Sequence, residues 1–168
     1  MNNKQSSLAI TLVSEILATD QLLRNKLTRI LPAGMEISHF SVLTHLAYTN
    51  SEKTPAQLAK VFHVTKGAMT NTLNKLEWAG YVHIRPDWDD ARRKLVAISP
   101  AGRKARDAAL SAIEPITRAL VDEKGADDIR ERIPVLREIG LSLKSGEGIS
   151  RHFSSRHNVN AQTTIRNL

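Results

Sequence analysis

Residues 54–102 read TPAQLAKVFHVTKGAMTNTLNKLEWAGYVHIRPDWDDARRKLVAISPAG. Thr54 followed by Pro55 can cap and open a helix, with Leu58, Ala59, Val61 and Phe62 on its buried side. Thr65 can cap a second helix, which carries Ala68, Met69, Leu73, Leu76 and Trp78 and stops at Gly80. Tyr81–Ile84 and Leu95–Ile98 have the branched and aromatic character of short strands. Arg85–Lys94 between them is too long and too charged for a tight hairpin turn. Helix, turn, helix, strand, charged loop, strand is the order of a winged helix-turn-helix, with the loop as its wing.

Working outward, Leu8–Leu31 shows a helical pattern through Leu12, Ile16, Leu23, Leu27, Ile30 and Leu31. Leu8, Ile10, Val13, Leu17 and Leu22 broaden that stripe beyond what one neighbour can cover. Pro32-Ala33-Gly34 stops the helix, and Ser38 can cap the next, whose apolar face is Phe40, Val42, Leu43 and Leu46. Beyond the wing, a helix is expected over Pro100–Lys124, bent at Pro115. After Gly125 comes another over Asp127–Lys144, with Pro134 as a kink point. The expected fold is mainly α with a small two-stranded β wing. A winged helix-turn-helix spans 37–99, a helical dimerisation region spans 8–31 and 100–144, and a polar tail spans 145–168.

The bulk numbers narrow the chemistry. The chain has 168 residues, 41% of them hydrophobic but only 4% aromatic, so its core must be aliphatic. The formal net charge of +7 favours a polyanionic partner. There is no cysteine, which excludes disulfides, cysteine zinc sites and thiol switches. No apolar run reaches the roughly 18 residues of a membrane span, and the polar N-terminus lacks a secretory pattern. A cytoplasmic chain without membrane contact is expected. The six histidines are scattered; His39 and His45, six apart, fall on different helix faces, so no metal site is expected. Without a Gly-rich phosphate loop, HExxH or GxSxG, neither an enzyme nor a cofactor is expected.

The polar face of the second helix of the pair offers Thr65, Lys66, Gly67, Thr70, Asn71, Asn74 and Lys75. Such side chains read base edges or hold phosphates; the same residues also suit an ordinary solvated face. The wing adds Arg85, Asp90, Arg92, Arg93 and Lys94. Residues 65–106 hold nine lysines and arginines against four acids, most of the chain's excess charge. Arg92, near the loop tip, is the candidate for a minor groove, held by a salt bridge from Asp90.

These residues resemble the MarR family of bacterial transcriptional regulators. The family pattern runs "TPxxLA", then "VSxGAVTxxLxxLExxGLVxR", then a wing ending "DxxDxRxxxVxLTPxG". Thr54–Ala59, Val64–Val82 and Asp87–Gly102 fall on these three parts without a gap in the wing, and the flanking helices extend the likeness over about residues 8–144. Asp89 and Ala91 depart from it where the family often has basic residues, leaving a less basic wing tip that leans on Arg92.

The resemblance implies a homodimer whose first, fifth and sixth helices intertwine. It implies binding to a pseudo-palindromic double-stranded DNA operator, as a repressor. It also implies response to a small aromatic ligand in a cleft where His39, Phe40 and Leu43 are the candidate contacts. A winged-helix protein-interaction module, with the basic surface meeting an acidic partner, is the competing expectation.

Overall fold

The computed structural model describes residues 3–145. They form α1 (Asn3–Ile30), α2 (Ile37–Thr49), α3 (Pro55–Val61), α4 (Lys66–Trp78), β1 (Val82–Pro86), β2 (Lys94–Ile98), α5 (Pro100–Lys124) and α6 (Ala126–Ser145). The chain divides into two compact units, one up to Ile116 and one from Thr117 onward.

Local chemistry explains the boundaries in the first unit. Thr54 Oγ1 accepts from the Gln57 N–H at 3.2 Å, and Gln57 Oε1 accepts from the Thr54 N–H at 2.8 Å. This reciprocal capping box fixes the start of α3. His63 takes a left-handed φ of 53° in the turn, and the Val64 N–H reaches back to the Ala59 carbonyl at 3.1 Å. Thr65 Oγ1 then caps α4 through the Ala68 N–H at 3.1 Å. At the far end Gly80 adopts φ 70°. The Tyr81 N–H bonds the Leu76 carbonyl at 2.8 Å and the Gly80 N–H bonds Glu77 at 2.9 Å. That pair of bonds is a Schellman cap, which favours glycine at its left-handed position.

β1 and β2 pair antiparallel in the register Val82↔Ile98, Ile84↔Val96 and Pro86↔Lys94, and Lys53 bridges Val96 on the other side of β2. Alternation turns Val82 and Val96 inward, where both are buried. They join Val42, Leu43 and Leu46 of α2, Leu58 and Ala59 of α3, Met69, Leu73 and Leu76 of α4, and Ala109 and Ile113 of α5. The Ser99 hydroxyl donates to the Gly80 carbonyl at 2.7 Å and accepts from the Gly102 N–H at 2.9 Å, linking the end of α4 to the start of α5.

Several expectations are corrected. The N-cap of α2 is Glu36, not Ser38; the Glu36 N–H is taken up by His39 Nδ1 at 3.2 Å. Trp78 and Val61, expected on buried faces, are 94% and 45% exposed, and Ala68 is exposed too. α4 is only 13 residues long and its buried stripe needs just Met69, Leu73 and Leu76. β1 starts one residue later and ends two residues later than expected, which takes Arg85 out of the loop, while Lys94 begins β2. As expected, α5 and α6 each span their proline, Pro115 and Pro134. α1 starts at Asn3, five residues before the expected Leu8. Its Leu8, Ile10, Leu12, Val13, Leu17, Leu22 and Leu23 are 43–70% exposed. In the second unit, Ile133, Val135, Leu136, Leu141 and Leu143 of α6 are exposed as well. Most of the expected polar tail lies outside the described residues.

Candidate nucleic-acid interface

α4 carries Thr65, Lys66, Gly67, Thr70, Asn71, Asn74 and Lys75 on its surface, all seven exposed. The opposite stripe of the same helix is what anchors it in the core. A Cβ built on Gly67 would meet nothing within 4 Å. The fold therefore does not require glycine there, and the bare backbone leaves room for an external surface to approach. Thr70 donates its hydroxyl hydrogen to the Lys66 carbonyl at 2.9 Å, which fixes the rotamer and leaves the oxygen free to accept. Lys75 is less available, because its Nζ lies 2.5 Å from Glu36 Oε1.

The wing is held from within by its acids. Asp87 accepts the Asp89 N–H at 3.2 Å and pairs with Arg93 Nε at 3.5 Å. Asp90 does not hold Arg92 by a salt bridge. Its Oδ1 instead accepts the Arg92 backbone N–H at 3.0 Å, and its carbonyl accepts the Arg93 N–H at 2.8 Å. Asp90 thus shapes the turn and leaves the Arg92 guanidinium outward and exposed. Arg85 is turned away from the loop: its Nε and Nη2 reach Glu52 at 3.0 and 2.5 Å.

The capped first turn of α3, the start of α4 and the wing enclose a hollow of about 550 Å³. Thr54, Pro55, Ala56 and Gln57 form one wall, Lys66 and Thr70 another, and Arg92, Arg93 and Lys94 the third. Four cations and no carboxylate line it. A phosphate chain seated there would meet positive charge from two sides and the Thr and Gln hydroxyl and amide groups from a third. Thr54 to Gln57 carry no charge and had suggested only a helix start. Their place in this wall depends on the wing folding back beside them.

A second hollow, about 620 Å³, lies at the other end of α4 between Gly34, Glu36, His39, Asn74, Lys75, Trp78 and Tyr81. His39 is buried, and that burial pushes its pKa down, so the ring is neutral at pH 7. Its Nδ1 accepts the Glu36 N–H, which leaves the hydrogen on Nε2, 4.0 Å from Glu36 Oε2. Phe40 does not line this hollow, and Leu43 is fully buried in the core. Among the described residues no three His, Cys, Asp or Glu side chains cluster as a metal site would require. None of the described helices is long and apolar enough to cross a membrane.

Residues 33–93 match the family model described as MarR family. The winged segment is therefore similar to the MarR family. The matched stretch takes in α2 to α4, β1 and the wing, up to Arg93. The multiple antibiotic resistance protein MarR of Salmonella typhimurium is 34% identical over 83 residues, 49% of this chain and 55% of that protein. The chain thus spans about half the length of the curated relatives it matches. The MarR-like fold reaches further. The transcriptional regulator BldR from Sulfolobus solfataricus superposes with a TM-score of 0.70 at 23% identity, over 83% of this chain and 97% of that one. A cysteine-to-serine mutant of MarR from E. coli, solved with operator DNA, superposes with a TM-score of 0.70 at 25% identity, over 78% and 94% of the two chains.

Proposed function

We propose that this protein is a homodimeric, sequence-specific DNA-binding regulator of transcription, acting as a repressor on a pseudo-palindromic operator. The observation that carries this reading is the cation-lined hollow between the first turn of α3, the start of α4 and the wing, beside a helix whose polar face is wholly exposed. In this reading Thr65, Lys66, Gly67, Thr70, Asn71, Asn74 and Lys75 meet the major groove. Arg92, Arg93 and Lys94 follow the backbone into the minor groove. Arg85 and Asp90 serve the wing's shape. The solved complex of an E. coli MarR mutant with operator DNA supports the same use of the fold.

The dimer rests on α1, where Leu8, Ile10, Val13, Leu17 and Leu22 are too exposed for a free helix in water. Two-fold symmetry of the protein then calls for an inverted repeat in the DNA. Release by a small aromatic ligand fits the hollow at His39, where Trp78 and Tyr81 offer ring faces. Asn74 and Lys75 belong both to that hollow and to the exposed face of α4, so a ligand seated there would compete for the residues that face DNA.

Selection of bound duplexes from a random pool tests the reading. One enriched inverted repeat, bound at physiological salt, is expected. Enrichment of no sequence, together with capture of acidic proteins, would favour the protein-interaction module instead.

A further inference from the structure

We propose that Trp88 is a DNA-contact residue of the wing, packing its indole face against the sugars of one minor-groove wall. This rests on the DNA-binding reading above and adds an uncharged contact to it.

Trp88 lies in the wing between Asp87 and Asp90 and is 87% exposed. A lone exposed indole is no site by itself, but this one has a backing. The Arg85 guanidinium stands over its ring, 5.4 Å from the centroid. That guanidinium is in turn held at two points by the Glu52 carboxylate and donates to the Pro86 carbonyl at 3.0 Å. A fork fixed at three acceptors has little freedom, so it restrains one face of the ring and leaves the other to the outside. Arg85 is thereby a positioning residue, which accounts for a cation at the wing that does not line the phosphate channel.

The strand register places the pair. Val82, Ile84, Val96 and Ile98 form one face of the ribbon, so Arg85, paired with Leu95, projects from the other. Neither Arg85 nor Trp88 lines the channel of Lys66, Arg92, Arg93 and Lys94. A minor groove is only about 6 Å wide, so a two-stranded ribbon entering it meets both walls. Arginines answer the phosphates; an indole answers the apolar sugar faces.

The two kinds of contact differ in their salt dependence. Losing a phosphate contact lowers the slope of log K against log salt by about 0.9, whereas losing an uncharged packing contact lowers affinity without changing the slope. The full-length protein and its selected duplex should therefore show binding by Trp88→Ala about tenfold weaker than wild type, with an unaltered slope, and partial recovery in Trp88→Phe. The chain has two tryptophans, so Trp78→Phe leaves Trp88 as the single indole, excited selectively over the tyrosines. Its emission should be quenched, and its quenching by acrylamide reduced, when the duplex is added. Trp88→Ala binding as tightly as wild type, or emission from Trp88 unmoved by saturating duplex, would overturn the assignment. If wild type itself bound no duplex, the DNA-binding reading would fall and this contact with it; wild-type binding that Arg92→Ala weakens and Trp88→Ala does not would remove this contact alone.

Discussion

Lys75 Nζ and Glu36 Oε1 lie 2.5 Å apart, so a cation on the exposed face of α4 is occupied by a carboxylate from the cap of α2. In the proposed DNA complex a phosphate would have to compete with Glu36 for it. Glu36→Gln removes both the competitor and a negative charge from the rim of the interface. Duplex affinity should rise about two- to fivefold, with a salt slope steeper by up to about 0.9, one more phosphate contact. Fluorescence anisotropy across a salt series checks this; weaker binding by the variant would show that Glu36 positions Lys75 rather than masking it.

The same pair makes a pH prediction. The hydrogen bond from Lys75 holds the Glu36 carboxyl below its ordinary range. A lowered folded-state value means the contribution to stability is present above the unfolded carboxylate range and is lost as pH falls through the lowered value. Both side chains are about half exposed, so solvent screening keeps the contribution under about 1 kcal/mol. Urea unfolding should find Glu36→Gln slightly less stable than wild type at pH 7, with the gap closing in acid. A gap that persisted at low pH would point to the helix cap instead of the ion pair.

Arg92 and Arg85, both wing arginines in the sequence, should separate in experiment. Arg92 is exposed and lines the cationic channel; Arg85 is bound to Glu52. Arg92→Ala should weaken duplex binding roughly tenfold and lower the salt slope by about 0.9. Arg85→Ala should leave the slope as it is and loosen the wing, seen as faster amide exchange near Asp87 and Arg93. Equal slope changes in the two variants would mean that Arg85 leaves Glu52 to meet phosphate.

What the sequence disclosed about this fold was mostly local. Thr54-Pro55, Thr65 and Gly80 mark their helix ends because caps are made within a few residues. Periodicity located the stripe of Met69, Leu73 and Leu76. It could not tell that the stripe was already complete without Trp78, since burial depends on what packs opposite. Charge alone put Arg85 with the arginines that line the hollow, because Glu52 lies 33 residues upstream and meets it only once β1 is in place. The wall made by Thr54–Gln57 was hidden for the same reason: its partners come from the wing, close to 40 residues away in the chain.

The exposed stripe of α1 predicts its own partner. Leu17 is 64% exposed with Val13 and Leu22 exposed on the same helix. In a two-fold interface each residue is used twice, so a charge at Leu17 is buried twice over. Leu17→Glu should convert the dimer to a monomer in sedimentation at micromolar protein, while circular dichroism shows the helices retained. Duplex affinity should fall with it, because two linked half-site contacts become one. A dimer that survives this substitution would place the interface elsewhere than on α1.

The last prediction concerns the joint between α4 and α5. A Cβ on Gly102 would stand 2.0 Å from the Tyr81 carbonyl oxygen and 3.0 Å from Ile98 Cγ1. The first of these is backbone and cannot swing away. Gly102 also donates its N–H to Ser99 Oγ, which donates to the Gly80 carbonyl, so the close approach is fixed from both sides. Gly102→Ala must push α5 off the Schellman turn that ends α4, at a cost of at least the roughly 1–3 kcal/mol typical of overpacking. Ser99→Ala is the milder change: it keeps the packing and orphans the Gly80 carbonyl and the Gly102 N–H, costing about 1–3 kcal/mol if neither finds water. Thermal unfolding should therefore rank wild type above Ser99→Ala and Ser99→Ala above Gly102→Ala. Gly102→Ala as stable as wild type would mean that the start of α5 can slide along the turn, and that the wing is not held where α4 needs it.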